Sequence, residues 1–240
     1  MNQSTGSLGT RILGAVAAVG CVAVVIFAFG VSPADAELGE SIRIMYVHVP
    51  TVTAAYMLLI ANALFSGYYL WKRSDFADVA AHTTAEIGVL MLGLTLVTGS
   101  LWGRITWGTF WEWDARLTTT ALLFLLYVGY LALRAATDDP RARATRAAVL
   151  GIASAFLIPI VHKSVDWWAS LHQEKTLFGT ADPSIDGSQL FTLMLSMAVF
   201  GVLAVWLSMH RFRVGWLSLQ VDRMRVEKAI EERRSEGVAA

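Results

Sequence analysis

The sequence predicts an all-α membrane protein with six transmembrane helices and both termini in the cytoplasm. Of its 240 residues, 55% are hydrophobic and 16% are charged, and the mean hydropathy is +0.54. This composition is too apolar for a soluble domain of this length. Six apolar stretches have roughly the 20 residues that a helix needs to cross a bilayer. The distribution of Lys and Arg gives the orientation.

The predicted spans form one integral membrane domain that covers residues 1–240. They lie near residues 11–31, 50–71, 85–103, 117–134, 146–162 and 189–209. The first span is followed by Ala34-Asp35-Ala36, which is similar to a signal-peptidase site. Its apolar stretch is longer than the roughly 7–15 residues of a signal peptide, so a retained helix is the favoured interpretation. Cleavage would leave five spans and the same orientation.

Lys and Arg are concentrated in alternate connections. The N-terminus, the 72–84 loop, the 134–146 loop and the C-terminal tail hold 14 of the 19 Lys and Arg residues. Because positively charged segments are retained in the cytoplasm, these four segments are predicted to be cytoplasmic. The three other connections are then extracytoplasmic.

Several kinds of chemistry are excluded by the sequence. The one cysteine, Cys21, lies within the first apolar stretch, which excludes an internal disulfide, a thiolate metal cluster and a C-x-x-C-H attachment site. There is no Gly-rich phosphate loop, no H-E-x-x-H and no G-x-S-x-G. The balanced net charge gives no indication of a nucleic-acid partner, and none is predicted.

Tryptophan is concentrated in the extracytoplasmic connections, which hold six of the nine. Four fall between residues 102 and 113: Trp102, Trp107, Trp111 and Trp113. A belt that only anchors helices would be spread over both membrane interfaces. If residues 107–114 are helical, Trp107 and Trp111 share a face; if they are extended, Trp113 joins them. Either arrangement gives an apolar wall.

Charged and small residues accompany this wall. Gly108 permits close approach of a ligand to the backbone, and Arg116 can reach an anionic group. A flat apolar ligand with carboxylates on its edge suits such a surface, and haem fits this description. Arg116 is predicted to pair with a propionate. Asp114 either holds Arg116 or a loop amide in position, or contacts a partner protein.

Two histidines on the same predicted side could bind haem iron, which takes axial His ligands. His48 precedes Pro50 by two residues and is predicted to lie on a loop at the mouth of span two, before an extended residue. His172 is expected to follow Trp168 on one stripe of an amphipathic interfacial segment. The other histidines are interpreted as a span-end residue and as solvated cytoplasmic residues: His162, His82 and His210.

These segments together resemble a known family. "WGTFWEWDARLT" is similar to the W-G-x-x-W-x-W-D signature of the haem-handling proteins of cytochrome c biogenesis. "IMYVHVP" and "WWASLHQ" resemble segments of the six-span haem exporter protein C (CcmC) family, and the resemblance covers nearly the whole chain. It implies that His48 and His172 are the axial iron ligands. It also implies that the haem is received by the signature residues and the arginine after them: Trp107, Gly108, Trp111, Trp113, Asp114 and Arg116.

The resemblance implies a carrier, not an enzyme. Members of this family hold haem b at the outer face of the bacterial inner membrane and deliver it to the haem chaperone CcmE. They act in membrane lipid with the ABC-type subunits CcmA and CcmB and the small membrane protein CcmD, and ATP hydrolysis belongs to CcmA. Three alternatives stay open: a b-type electron-transfer protein, a haem lyase subunit of the CcmF or CcsA type, and a subunit whose tryptophans dock a partner. The lyase type has additional spans and histidines that this chain lacks.

Overall fold

The computed structural model describes residues 6–168, 172, 185 and 187–238. Within these residues it is helical, with one isolated β-bridge between Asp35 and Gly39. Six segments are long and apolar enough to cross a membrane, which confirms the predicted fold class. The helices are α1 Leu8–Ile26, α2 Met45–Lys72, α3 Asp75–Thr106, α4 Ala115–Ala135, α5 Pro140–Ala155, α6 Leu157–Trp167 and α7 Gly187–Val238.

Side-chain caps define where several helices begin. Ser7 accepts the backbone N–H of Thr10 at the start of α1, and Asp139 accepts that of Ala142 at the start of α5. Such caps satisfy N–H groups that have no partner within the helix. α1 continues into a π-helical turn, Phe27–Val31, and a 3₁₀ turn, Glu40–Ile44, leads into α2.

The antiparallel pair α2 and α3 forms the centre of the bundle. Asn62 on α2 is fully buried and donates a 2.7 Å hydrogen bond to the carbonyl of Ala81 on α3. α4, α5 and α6 cover one side, where the buried Tyr127 hydroxyl donates to the carbonyl of Gly151 at 3.1 Å. One continuous buried core joins these helices, and α2 and α3 lie at its centre.

The fifth span is broken, unlike the single helix predicted over 146–162. α5 ends at Ala155 and α6 begins at Leu157, with Pro159 in its first turn. A proline clashes with the carbonyl four residues before it, which here is the carbonyl of Ala155. The two helices together extend from Pro140 to Trp167, which is longer than the apolar stretch alone.

The final helix is also longer than its predicted span. α7 contains 52 residues, or about 78 Å at 1.5 Å per residue, more than twice the ~30 Å hydrocarbon core. Its middle returns to α1, where Trp206 donates to the carbonyl of Thr10 at 3.1 Å and Arg213 donates to the Thr10 hydroxyl at 2.8 Å. The beginning of α1 and the later part of α7 therefore lie at one end of the bundle.

The opposite end carries the residues that the sequence predicts to be functional. It is formed by residues 32–48, 102–116 and 161–168, and we call it the site end. Two contacts pack the residues of this end together beside the site. The hydroxyl groups of Ser32 and Tyr46 form a buried hydrogen bond, and Trp102 packs against the cluster of Ile42, Met45 and Tyr46.

Candidate functional site

His48 lies in the first turn of α2, not on a loop. Val49 is helical as well, so the prediction of an extended residue before Pro50 is wrong. Met45 and Tyr46, which begin the helix, are 3% and 1% exposed. Their burial outweighs the steric preference of a residue before proline. His48 is therefore held on a helix at the site end.

Helix α3 encloses the imidazole of His48. Its Nδ1 lies 3.1 Å from the hydroxyl oxygen of Thr98. A Cβ on Gly99 would lie 2.9 Å from Cε1 of the ring, so the ring occupies the space that a side chain would fill. The Trp102 ring lies edge-on at 5.8 Å between centroids, with 74° between the planes. Thr98, Gly99 and Trp102 share one face of α3 and orient the ring together.

His172 has a matching environment. Its Nδ1 lies 3.3 Å from Oδ2 of Asp114, and its ring centroid lies 4.9 Å from that of Trp107 at 66°. Burial lowers the pKa of His172, the hydrogen bond and charge of Asp114 oppose this, and the Arg116 charge lowers it further. Burial thus favours the neutral imidazole, which is the form that binds a metal.

The chain before His172 differs from the prediction. α6 ends at Trp167, and Trp168 is extended, with φ −131° and ψ 152°. Trp168 therefore does not continue the helical stripe on which we expected His172 to lie. Residues 169–171, which complete that stretch, are outside the described residues.

Asp114 connects His172 to helix α4. Its Oδ1 accepts the backbone N–H of Leu117 at 2.7 Å and so caps α4, while Oδ2 faces His172. Its side chain is 7% exposed. A buried carboxylate needs hydrogen-bond donors for both oxygens, and here a helix terminus and an imidazole serve as donors. The contact with His172 is not among the roles that the sequence indicated for this residue.

Residues 107–114 form neither a helix nor a ribbon. Trp107 ends α3, and Gly108 has φ +80° with open space where a Cβ would lie. Glycine favours this left-handed backbone conformation, and the open space leaves the predicted close approach of a ligand sterically possible. Arg104 donates to the Gly108 carbonyl, and the Thr109 hydroxyl donates to the carbonyl of Trp111 at 3.0 Å. The segment is a turn over residues 107–110 followed by four residues without regular secondary structure, of which Asp114 is extended.

This turn separates the indoles into two groups. Trp107 faces His172, whereas Trp111 contacts Trp113, with centroids 5.6 Å apart and planes at 80°. Trp113 is 80% exposed. Trp111 and Trp113 are thus in contact with each other, and Trp107 is in contact with His172.

Two indole N–H groups match an acidic ligand. Nε1 of Trp102 and Nε1 of Trp111 are buried and have no acceptor among the described residues. Buried donors are normally paired, and a carboxylate edge such as a haem propionate would supply acceptors. Together with the two imidazoles, these donors make the site compatible with haem.

Arg116 lies at the same end of the bundle as the two proposed iron ligands. Arg116 donates to the backbone carbonyl of His162 at 3.2 Å and so joins α4 to α6. His48 lies within electrostatic range of both His172 and Arg116. The structure thus brings His48, His172, Asp114 and Arg116 to one place.

The three other histidines were not predicted to bind iron. His162 is exposed on α6. His82 and His210 lie within helices: His82 is 3.7 Å from Glu86, and His210 lies edge-on to Trp206 at 4.9 Å. Both belong to α3 and α7 at the end opposite the site.

Three residues around His48 were not predicted from the sequence to belong to the site. They are Thr98, Gly99 and Trp102. Their spacing indicates that two of them share a helix face, because Thr98 and Trp102 are four residues apart on a predicted helix that runs directly into Trp107. Their partner His48 is 50 residues away from Thr98, so only the packing of α2 on α3 reveals the contact.

Comparison with known proteins gives a consistent result. The model of the family described as heme exporter protein C matches residues 3–227. The chain is 39% identical over 216 residues to heme exporter protein C of Bradyrhizobium diazoefficiens, covering 90% of this chain and 82% of the relative. The Haemophilus influenzae protein of that name is 38% identical over 199 residues, covering 83% and 81%. The Escherichia coli K12 protein is 37% identical over 208 residues, covering 87% and 84%.

Proposed function

This chain belongs to the heme exporter protein C family, and from that premise we propose that it carries haem for cytochrome c maturation. In this proposal it binds haem b at the outer face of the bacterial inner membrane and delivers it to the haem chaperone CcmE. The whole chain acts as one membrane domain. It has no catalytic residues of its own.

The observation that carries the proposal is the arrangement of His48 and His172. Each imidazole directs Nδ1 at an oxygen on another helix, Thr98 on α3 and Asp114 at the start of α4. Each ring also lies edge-on against an indole. A metal-binding histidine usually donates its second ring N–H to an oxygen in this way, which leaves Nε2 for the iron.

The surrounding residues supply the rest of the site. Trp107, Trp111 and Trp113 cover porphyrin surface, Gly108 sets the turn that displays them, and Arg116 pairs with a propionate. Burial of apolar area at about 25 cal/mol per Å² gives several kcal/mol of affinity, yet a carrier must also release its cargo. The exposed Trp113 and the position of the site at one end of the bundle favour release toward a partner.

The orientation rests on charge. The end opposite the site carries most of the Lys and Arg residues, and the rule that such segments stay in the cytoplasm puts the site on the periplasmic side. The partners in this proposal are CcmE as acceptor, CcmA and CcmB as the ATP-hydrolysing complex, CcmD as a small membrane subunit, and lipid around the bundle.

Haem transfer between purified proteins tests the proposal. The full-length protein is loaded with haem in detergent, its Soret band is recorded, and CcmE is added under oxidising and under reducing conditions. We expect haem to move to CcmE and become covalently attached, detected by haem stain after denaturing electrophoresis. A protein that keeps its haem is an electron carrier, and one without a Soret band is a docking subunit. Either result contradicts the proposal.

A further inference from the structure

The hydroxyl of Thr98 is in contact with two groups at once. It donates to the carbonyl of Leu94 at 2.7 Å on its own helix, and Nδ1 of His48 lies 3.1 Å from the same oxygen. The Thr95 carbonyl is 3.3 Å from this hydroxyl as well. The hydroxyl therefore has two backbone carbonyls of α3 within reach, besides the ring nitrogen of His48.

The single hydrogen of the Thr98 hydroxyl determines which atom donates in its contact with His48. A threonine hydroxyl has one hydrogen and two lone pairs. Because its hydrogen is directed at Leu94, the hydroxyl can only accept from His48. Nδ1 must then carry the proton, and a neutral imidazole with Nδ1 protonated has its free lone pair on Nε2.

We propose that Thr98 is a positioning residue that holds His48 in the tautomer with Nε2 unprotonated, ready to bind iron. The assignment of iron binding to His48 rests on the proposed function, whereas the tautomer is a property of the protein without haem. Gly99 contributes by leaving room for the ring, so that the imidazole can approach α3 closely enough to reach the hydroxyl.

The partners of the two histidines differ in kind. Asp114 offers His172 a carboxylate, and Thr98 offers His48 a neutral hydroxyl. A carboxylate partner increases the basicity of a ligating imidazole more than a neutral one does. If both histidines bind iron, we therefore expect His48 to be the weaker of the two ligands.

Histidine NMR tests the tautomer without haem. The full-length apoprotein is labelled with ¹⁵N at its five histidines in detergent, and His48→Gln assigns the His48 signals. We expect protonated Nδ1 and unprotonated Nε2 in the native protein. In Thr98→Val, which keeps the shape and removes the hydroxyl, the proton should move to Nε2. Thr98→Ser should restore the native pattern.

Thr53→Val is the matched control. Thr53 also donates to its own helix, to Val49 at 2.9 Å, and lies about one turn from His48, so its loss should leave the His48 signals unchanged. If Nε2 is protonated in the native protein, the inference is wrong, even where Thr98→Val fails to fold. An unchanged tautomer in a folded Thr98→Val protein also overturns it.

Haem dissociation gives a second readout. Transfer of ferric haem to apomyoglobin should be about tenfold faster from Thr98→Val than from the native protein, and Thr98→Ser should keep the native rate. Failure of the native protein to bind haem would contradict the proposed function and leave the NMR result to decide the role of Thr98. An unchanged rate in Thr98→Val would contradict only the contribution of Thr98 to iron binding.

Discussion

Asp114 caps helix α4 and contacts His172 with the same carboxylate, through Oδ1 at 2.7 Å to Leu117 N and Oδ2 at 3.3 Å to Nδ1 of His172. The last residue of the W-G-x-x-W-x-W-D signature therefore links a helix terminus to a proposed iron ligand. Because the cap fixes the carboxylate, the position of α4 determines where the His172 ring can lie.

Asp114 substitutions can separate these two roles. Asn is as good an N-cap as Asp, so Asp114→Asn should keep the melting temperature near that of the native protein. It removes the charged acceptor of His172, and we expect about tenfold weaker haem retention. Asp114→Ala removes the cap as well, which costs about 1 kcal/mol, and should lower both quantities. Equal haem retention in native and Asp114→Asn proteins would exclude the role toward His172.

The proposed axial ligands can be tested against a third histidine at the same end. We expect His48→Ala and His172→Ala each to weaken haem retention strongly and to regain a six-coordinate spectrum when imidazole is added. His162→Ala should have a small effect, because the group of His162 that Arg116 contacts is its backbone carbonyl, which the substitution keeps. A larger effect of His162→Ala than of the other two would show that the wrong pair is named.

Gly99 provides a steric test. An alanine Cβ at this position would lie 2.9 Å from Cε1 of His48, so Gly99→Ala should displace the ring and weaken haem retention. Gly93→Ala on the same helix is the control, because its Cβ would meet Phe124 at an ordinary 3.4 Å. Both substitutions replace a helical glycine, which stabilises a helix by up to about 1 kcal/mol. Similar haem retention in the two variants would exclude the close packing of His48 on Gly99.

The topology can be tested by labelling. In a Cys21→Ser background, which removes the one native cysteine, we expect a membrane-impermeant maleimide to label Thr109→Cys from outside and not Asp139→Cys. Permeabilised cells should label both, which controls for accessibility. The reverse pattern would put the site end in the cytoplasm and contradict the periplasmic orientation.

The sequence was sufficient to predict the six spans, because membrane crossing depends on local hydropathy and length. It contains Pro159, whose local steric clash explains the break in the fifth span, but it could not predict the helical state of His48, which depends on the burial of Met45 and Tyr46. It also selected His48, His172 and Asp114 as site residues without their contacts. The Thr98 and Asp114 hydrogen bonds join residues 50 and 58 positions apart, and no local pattern encodes such pairs.

The division of the indoles leads to the final prediction. Trp107 packs edge-on against His172, whereas Trp111 and Trp113 contact each other, and Trp113 is 80% exposed. Trp107→Ala should therefore change the axial-ligand spectrum of bound haem. The double variant Trp111→Ala/Trp113→Ala should keep the spectrum of the haem that remains and reduce transfer to CcmE.

Arg116→Lys completes this series, because it keeps the charge and removes the planar, multiply donating guanidinium. We expect it to reduce haem retention more than a conserved charge would suggest, since Lys cannot bind a propionate in bidentate fashion. If the Trp111→Ala/Trp113→Ala variant loads and transfers haem normally, Trp111 and Trp113 act as membrane anchors and not as part of the haem site. The haem site would then consist of the two histidines, Trp107 and the residues that orient them.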